Sequence, residues 1–241
     1  PPRSTLFPYT TLFRSQDGKL EVLTLSLADN KIYCLEGISG NTLWTYSEMG
    51  PGFIGGIGIA DVDNDGIIEF IYSTSSGIFA VRGDIGAGAP KWAALTSSGM
   101  ANNPVILDIN NDGVLEIFAC TDNNQIQCIN GLNGQIIWVK NLRVATGNVP
   151  IQPVFVDIDQ DDEIEIITVD SNNPTILKCM YASNGTEKWQ ITSSINFLGS
   201  CAIGDIDADH KLDILIARTG STRNMALFDS FGNYKTEYNI T

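Results

Sequence analysis

The chain has 241 residues, a formal net charge of −14 and 43% hydrophobic residues. This hydrophobic content excludes a disordered chain, and the strong negative charge argues against nucleic acid as a partner. No apolar run approaches the roughly 20 residues of a membrane-spanning helix, so we expect no membrane insertion of this segment. Short runs of β-branched and aromatic residues between glycine-containing turns predict an all-β fold.

The first residues do not match the rest of the chain. The segment from Thr5 to Ser15 reads TLFPYTTLFRS, which resembles the translation of a sequencing adapter. We therefore expect residues 1–15 to be a leader outside the fold, with the native start and any signal peptide lost upstream. The next residues, Asp17 to Glu21, read DGKLE, which matches the second half of the acidic loop described next.

An acidic nine-residue segment recurs about every 48 residues, which is typical of repeat proteins. Its four copies, here loops 1 to 4, are DVDNDGIIE from Asp61, DINNDGVLE from Asp108, DIDQDDEIE from Asp157 and DIDADHKLD from Asp205. A tryptophan after a glycine-containing turn keeps the same period, at Trp44, Trp92, Trp138 and Trp189. Tyr234 stands at the fifth such place.

Each repeat reads as four short strands, with the acidic loop between the first strand and the second. Four strands in a strict period of this length predict the blades of a β-propeller, and a two-layer sandwich is the competing fold. The predicted fold occupies 16–241. It divides into a partial blade at 16–49 and blades at 50–97, 98–145, 146–194 and 195–241.

The acidic loop has the chemistry of a calcium site. Carboxylates at positions one, three and five can converge on one ion, the position-seven carbonyl adds an oxygen, and the acid at position nine closes the shell. Glycine at position six permits a left-handed turn, and Asp162 and His210 replace it in loops 3 and 4. Magnesium is disfavoured because it requires a stricter octahedron. An acidic hairpin turn without an ion is the alternative for any single loop.

The predicted ligands follow this pattern in all four loops, so we expect about four Ca²⁺ sites. They are Asp61, Asp63, Asp65, Ile67 and Glu69 in loop 1; Asp108, Asn110, Asp112, Val114 and Glu116 in loop 2; Asp157, Asp159, Asp161, Glu163 and Glu165 in loop 3; and Asp205, Asp207, Asp209, Lys211 and Asp213 in loop 4.

These residues resemble the FG-GAP/VCBS repeats, the calcium-loop propeller repeats of integrin α-subunit heads and many secreted microbial proteins. The segments YCLEGISGNTLW and QCINGLNGQIIW are also similar to the strands of PQQ-type propeller repeats. The resemblance implies a ring of seven or eight blades, of which this chain would hold four to five as a fragment.

The same resemblance implies a secreted or cell-surface module that binds a protein or carbohydrate, with structural calcium; a periplasmic location is also compatible. A propeller-type polysaccharide lyase or another secreted enzyme is the alternative, and a PQQ-type quinoprotein is a weaker one. We expect no enzyme and no catalytic residues, because the chain has one histidine and shows no catalytic constellation.

The cysteines do not suggest a disulfide framework. Cys34, Cys128 and Cys179 share one place in the repeat, and alanine stands there in the other two copies. This exchange predicts a small buried residue.

Overall fold

The computed structural model describes residues 11–13, 19–26, 29–47, 53–83, 90–95, 103–142, 152–170, 175–193, 197–218 and 224–239. These ranges contain twenty strands in five four-stranded antiparallel sheets, in which strands consecutive in the chain are neighbours. Among the same residues there is no helix long and apolar enough to cross a membrane. The chain divides into two compact units, Pro1–Val139 and Lys140–Thr241.

The first unit holds three sheets, here called blades 1 to 3. Blade 1 consists of β1 (Thr11–Phe13), β2 (Glu21–Ser26), β3 (Lys31–Glu36) and β4 (Thr42–Tyr46). Blade 2 consists of β5 (Phe53–Ala60), β6 (Glu69–Thr74), β7 (Gly77–Arg82) and β8 (Trp92–Leu95). Blade 3 consists of β9 (Val105–Leu107), β10 (Glu116–Cys120), β11 (Gln125–Asn130) and β12 (Ile136–Asn141), whose last residues cross the boundary of the unit.

The second unit holds blades 4 and 5. Blade 4 consists of β13 (Val154–Val156), β14 (Glu165–Asp170), β15 (Thr175–Tyr181) and β16 (Glu187–Ser193). Blade 5 consists of β17 (Phe197–Gly204), β18 (Asp213–Arg218), β19 (Asn224–Phe228) and β20 (Tyr234–Asn239). Each predicted blade range from 50–97 to 195–241 contains one of these sheets, and the prediction of four-stranded all-β repeats is confirmed.

Burial differs sharply between the inner and outer strands of a blade. Every residue of β6 and β10 is buried, while most residues of the fourth strands β12 and β20 are exposed. A strand that is buried on both faces tends to read as a continuous apolar run, as FIY does after Glu69 and IFAC does after Glu116.

The cores lie between neighbouring blades. Blades 1 and 2 share a cluster that includes Leu23, Tyr46 and Tyr72. Blades 2 and 3 share a second cluster, and within the second unit blades 4 and 5 share a third. Cys34, Cys128 and Cys179 are fully buried and free, as the exchange with alanine predicts.

A tryptophan joins each of two blade pairs through one hydrogen bond and one ring contact. The Trp92 indole N–H donates to the Gly131 carbonyl at 2.7 Å, and the ring lies against Gly134 in the turn of blade 3. Trp189 repeats the arrangement with the Ser230 carbonyl at 3.1 Å and with Gly232. The regular spacing of these two tryptophans therefore reflects their packing against the next blade.

Two expectations need correction. Thr11–Phe13, in the segment expected to lie outside the fold, forms β1 and pairs with Glu21–Leu23. Backbone pairing is indifferent to most side chains, so a short β-prone segment can complete the edge of the first sheet.

The second correction concerns Tyr234, which does not take the place of a tryptophan. Counted from the turn glycine, the tryptophan place of blade 5 falls on Thr236. The Tyr234 ring instead contacts Phe228 of its own blade, with the ring centroids 5.9 Å apart.

Substitution of Gly134 tests the tryptophan contact. An alanine Cβ at Gly134, where φ is +73°, would lie 2.7 Å from Cε3 of Trp92. Gly40 holds the same turn position in blade 1 at φ +70°, with nothing within 4 Å. Because only Gly134→Ala adds a steric clash to the shared backbone strain, we expect it to destabilise the chain by about 1–3 kcal/mol more than Gly40→Ala. Urea unfolding measures both variants, and equal losses would contradict the contact.

Candidate metal centres

Each acidic loop connects the first strand of its blade to the second. The loops follow β5, β9, β13 and β17, and the acid at position nine is the first residue of the next strand. The structure therefore places all four position-nine acids, Glu69, Glu116, Glu165 and Asp213, on the strand where the sequence predicts them.

The loop backbone takes a left-handed conformation at two positions. At position six, φ is +84° in Gly66 and Gly113, +69° in Asp162 and +68° in His210, which confirms the predicted turn. Position four is also left-handed, at Asn64, Asn111, Gln160 and Ala208. The conformation of position four is not predictable from the sequence, because glutamine and alanine carry no sign of it.

The carboxylate at position one holds the turn closed. In loop 1, the Asp61 Oδ1 accepts the Asp65 N–H at 3.0 Å and its Oδ2 accepts the Gly66 N–H at 2.9 Å. Asp157 and Asp205 accept the same pair of backbone N–H groups in loops 3 and 4. This pattern gathers the loop around its first carboxylate.

The carboxylate at position nine is buried and reaches back to position two. Glu69, Glu165 and Asp213 are 0% exposed and Glu116 is 2% exposed. One oxygen of each accepts the backbone N–H of the position-two residue, at 3.0 to 3.2 Å. These four position-two residues are Val62, Ile109, Ile158 and Ile206.

Position two connects the loop to the next blade in both units. The Val62 side chain lies in the core between blades 2 and 3, and its carbonyl accepts the Leu115 N–H at 3.0 Å. Ile158 lies in the core between blades 4 and 5. The buried acid therefore fixes a residue that packs against the neighbouring blade.

Three loops bring carboxylates close enough to hold a metal ion. One oxygen from each acid at positions one, three and nine lies within 4.8 Å of the others, in the groups Asp61, Asp63, Glu69; Asp157, Asp159, Glu165; and Asp205, Asp207, Asp213. In loop 2, Asn110 stands at position three, so this trio has one carboxylate fewer.

The remaining predicted ligands have other contacts. The position-five carboxylate accepts the backbone N–H of position seven, as Asp65 does from Ile67 at 2.8 Å and Asp112 does from Val114 at 2.8 Å. The corresponding bonds in loops 3 and 4 are Glu163 to Asp161 and Lys211 to Asp209. The role of the position-seven carbonyls, and of the individual ligands, stays a prediction.

A lysine that the sequence analysis did not single out contacts each of these three groups. The Lys91 Nζ is 2.5 Å from Asp63 and 3.1 Å from Glu69. The Lys188 Nζ is 2.7 Å from Asp159 and 3.1 Å from Glu165.

Loop 4 has the same arrangement. The Lys235 Nζ is 2.6 Å from Asp207 and 2.8 Å from Asp213. In all three loops, the lysine touches the acids at positions three and nine.

Burial and charge shift the protonation of these groups. Burial raises the pKa of Glu69, Glu116 and Glu165 above the ordinary glutamate value. Burial alone would lower the pKa of Lys91 and Lys188, but the hydrogen bonds and charges of the neighbouring carboxylates outweigh it and raise the pKa of both. The buried glutamates therefore take up a proton more readily than an ordinary glutamate does, whereas Lys91 and Lys188 stay protonated at neutral pH.

The donor set fits calcium in its chemistry, because all the side-chain donors of the four loops are oxygens. The Oδ1 atoms of Asp63 and Asp159 are buried without a hydrogen-bond partner, which leaves lone pairs for a cation. In loops 1, 3 and 4, however, an ammonium group already pairs with the carboxylates at positions three, five and nine.

A sequence signal for the lysines exists and was overlooked. The residue before the tryptophan is lysine in GAPKW and GTEKW. The pattern is hidden in blade 5, because placing Tyr234 at the tryptophan position moves Lys235 out of register with Lys91 and Lys188.

The fold and the loops together define a repeat protein of the β-propeller class with recurring acidic loops. The model of the FG-GAP-like repeat family matches residues 61–119, from the start of loop 1 into β10. The resemblance to FG-GAP repeats is thereby confirmed over this part of the chain. Comparison with curated proteins gives no significant match.

Solved propeller structures resemble the chain over most of its length. The V. cholerae biofilm matrix protein Bap1 matches 96% of this chain with a TM-score of 0.65 and 17% identity, and the chain spans 39% of Bap1. The C-terminal WD40 domain of Sif2 matches 90% of the chain with a TM-score of 0.56 and 13% identity, over 54% of its own chain.

The quinohemoprotein alcohol dehydrogenase from Comamonas testosteroni matches 93% of the chain, with a TM-score of 0.57 and 14% identity, over 42% of its own length. WD40 repeats form propeller blades. At identities this low, the structural similarity establishes the fold alone. The fold is a β-propeller of four-stranded blades, as predicted.

Substitution of Glu116 tests the cost of the buried acid. Its folded-state pKa lies above the ordinary value of 4.5, so the folded protein holds the proton more tightly than the unfolded chain does. Stability from this group is therefore greatest at low pH and is lost as the pH rises from about 4.5 through the folded-state pKa.

In EDTA at pH 7, we expect Glu116→Gln to melt at the same temperature as the wild type or higher, with the difference shrinking towards pH 5. The exposed Glu187→Gln variant controls for the loss of one charge. A Glu116→Gln variant that melts below Glu187→Gln in EDTA at pH 7 would show that the ionised acid stabilises the metal-free fold.

Proposed function

We propose that the chain is part of a secreted or cell-surface β-propeller module that binds a protein or carbohydrate, with calcium as a structural ion. The observation that carries this proposal is the recurrence of the acidic loop in four successive blades, the first two copies of which lie in the segment that matches an FG-GAP-like repeat. The loops stabilise the scaffold, and other connections between strands are free to vary as recognition surfaces.

The extracellular location is inferred from the chemistry of the loops and from one structural neighbour. Extracellular calcium modules bind the ion at about 10⁻⁴–10⁻³ M, a concentration that the cytosol does not supply. Bap1, which shares the fold, is a biofilm matrix protein. We infer that this chain also lies outside the cell, and that its ligand is a cell-surface or matrix molecule.

A binding role is favoured over catalysis by the state of the basic side chains. The only histidine of the chain, His210, has a side chain that is 96% exposed and lies in a turn. The pKa of Lys91 is raised by its carboxylate partners, which outweigh the effect of burial. A lysine held protonated is a poor general base at neutral pH.

Two of the recurring tryptophans contribute to packing between blades. Trp92 and Trp189 each donate to a backbone carbonyl of the neighbouring blade. Their recurrence is therefore explained without a quinone cofactor, which makes the quinoprotein alternative less favoured.

Binding to an immobilised panel of glycans and matrix proteins tests the proposal. We expect the full chain to bind at least one member in millimolar Ca²⁺, to release it in EDTA, and not to regain it in Mg²⁺. Uronate polysaccharides are incubated with the same preparation, and we expect no cleavage. Cleavage of a uronate chain, or binding that is equal in EDTA and calcium, would contradict the proposal.

A further inference from the structure

The three lysines of the acidic groups share one place in the repeat. Each lysine is the third residue after the turn glycine, and we call the place of the lysine the bulge position. In blade 4, Cys179 pairs with Trp189 and Met180 pairs with Glu187, so the ladder skips Lys188. The side chain of a residue that the ladder skips points in a different direction from those of its neighbours. In blade 4, this direction brings Lys188 into contact with the acidic loop of its own blade.

Blade 5 has the same irregularity. Leu227 pairs with Thr236 and Phe228 pairs with Tyr234, which skips Lys235. In blade 2, the Lys91 N–H donates to the Ala80 carbonyl at 2.7 Å, and the next residue, Trp92, is the ladder partner of Ala80. The geometry that presents the lysine is thus a property of the repeat.

The lysine at the bulge position occurs together with the aspartate at position three. Loops 1, 3 and 4 have both residues, and the aspartate is the nearest partner of the lysine in each. Loop 2 has neither, because Asn110 stands at position three and Ile137 at the bulge position. Two substitutions separated by 27 residues cancel each other in charge, which identifies the pair as one unit.

In the described part of loop 2, the position-three residue forms a hydrogen bond within the loop instead of an ion pair with a lysine. The Asn110 amide donates to Asp112 Oδ2 at 2.9 Å, and Ile137 is 48% exposed. Among the described residues, no lysine, arginine or histidine forms an ion pair with Asp108, Asp112 or Glu116.

An ammonium group among these carboxylates opposes the binding of calcium there, because the two cations repel each other at short range. The Lys91 Nζ lies 2.5 Å from Asp63 and 3.1 Å from Glu69, and calcium would need these oxygens at about 2.3–2.6 Å. Binding of calcium would have to expel the lysine, whose side chain is 15% exposed, and break its contacts with both acids.

We propose that Lys91, Lys188 and Lys235 are the resident cations of loops 1, 3 and 4, which therefore stay ordered without calcium. Loop 2, which lacks such a lysine, is then the loop that takes calcium. The second statement rests on the proposed function, and the first does not. The four expected calcium sites thus reduce to about one in the chain as it stands.

A reciprocal exchange between loops 1 and 2 tests this assignment. Asp63→Asn/Lys91→Ile gives loop 1 the composition of loop 2, and Asn110→Asp/Ile137→Lys does the reverse. Both double variants keep the net charge of the chain, so they control each other for global electrostatics. The number of bound Ca²⁺ is measured by calorimetry on the full chain, and melting temperatures are measured in EDTA and in calcium.

We expect the wild type to bind about one calcium, Asp63→Asn/Lys91→Ile to bind one more, and Asn110→Asp/Ile137→Lys to bind none at the same concentrations. The single variant Lys91→Met, which keeps the length of the side chain, should lower the melting temperature in EDTA by roughly 5 °C or more, because the buried acids lose their cation. Calcium should restore part of this loss.

Four calcium ions bound by the wild type, or unchanged counts in both double variants, would overturn the assignment. The failure of the proposed function is distinguishable. If the wild type binds no calcium while Lys91→Met still melts lower in EDTA, the lysines are resident cations and the calcium proposal is wrong. If Lys91→Met melts like the wild type, the resident-cation assignment itself is wrong.

Discussion

The buried carboxylate at position nine is the constraint on which the rest of each blade depends. Glu69, Glu165 and Asp213 are fully buried at the start of the second strand, and each accepts the N–H of a position-two residue. In both units a position-two side chain, that of Val62 or Ile158, packs between two blades. An ionised acid in this place ties loop geometry to blade packing, but it must be compensated by a nearby cation.

The compensating cation differs between the loops. In loop 1 the cation is the ammonium group of Lys91, which directly precedes the fourth strand of the same blade and contacts Glu69. In loop 2, no lysine, arginine or histidine among the described residues pairs with the acid Glu116, and calcium is the proposed substitute. Under the proposed assignment, the residues at position three and at the bulge position decide whether a loop holds an ammonium group or calcium.

Much of the fold follows from the sequence, because a strict repeat fixes strands, turns and loops by comparison within the chain. The left-handed turn at Asp162 and His210 and the burial of Cys128 were predictable from the substitutions themselves. The lysines were not recognised from the sequence. Lys188 lies at a bulge in the fourth strand, and its side chain contacts Glu165 in the second strand, which is not its neighbour in the sheet. The pairing of Thr11–Phe13 was missed because edge pairing is governed by backbone hydrogen bonds rather than by repeat pattern.

Hydrogen–deuterium exchange, resolved loop by loop in EDTA and in calcium, tests the central claim most directly. If a resident cation orders the loop, the amides of 61–69, 157–165 and 205–213 exchange slowly in both conditions, and those of 108–116 are slowed only by calcium. Equal slowing of all four loops by calcium would contradict the account, because it would show that the lysines do not take the place of the metal.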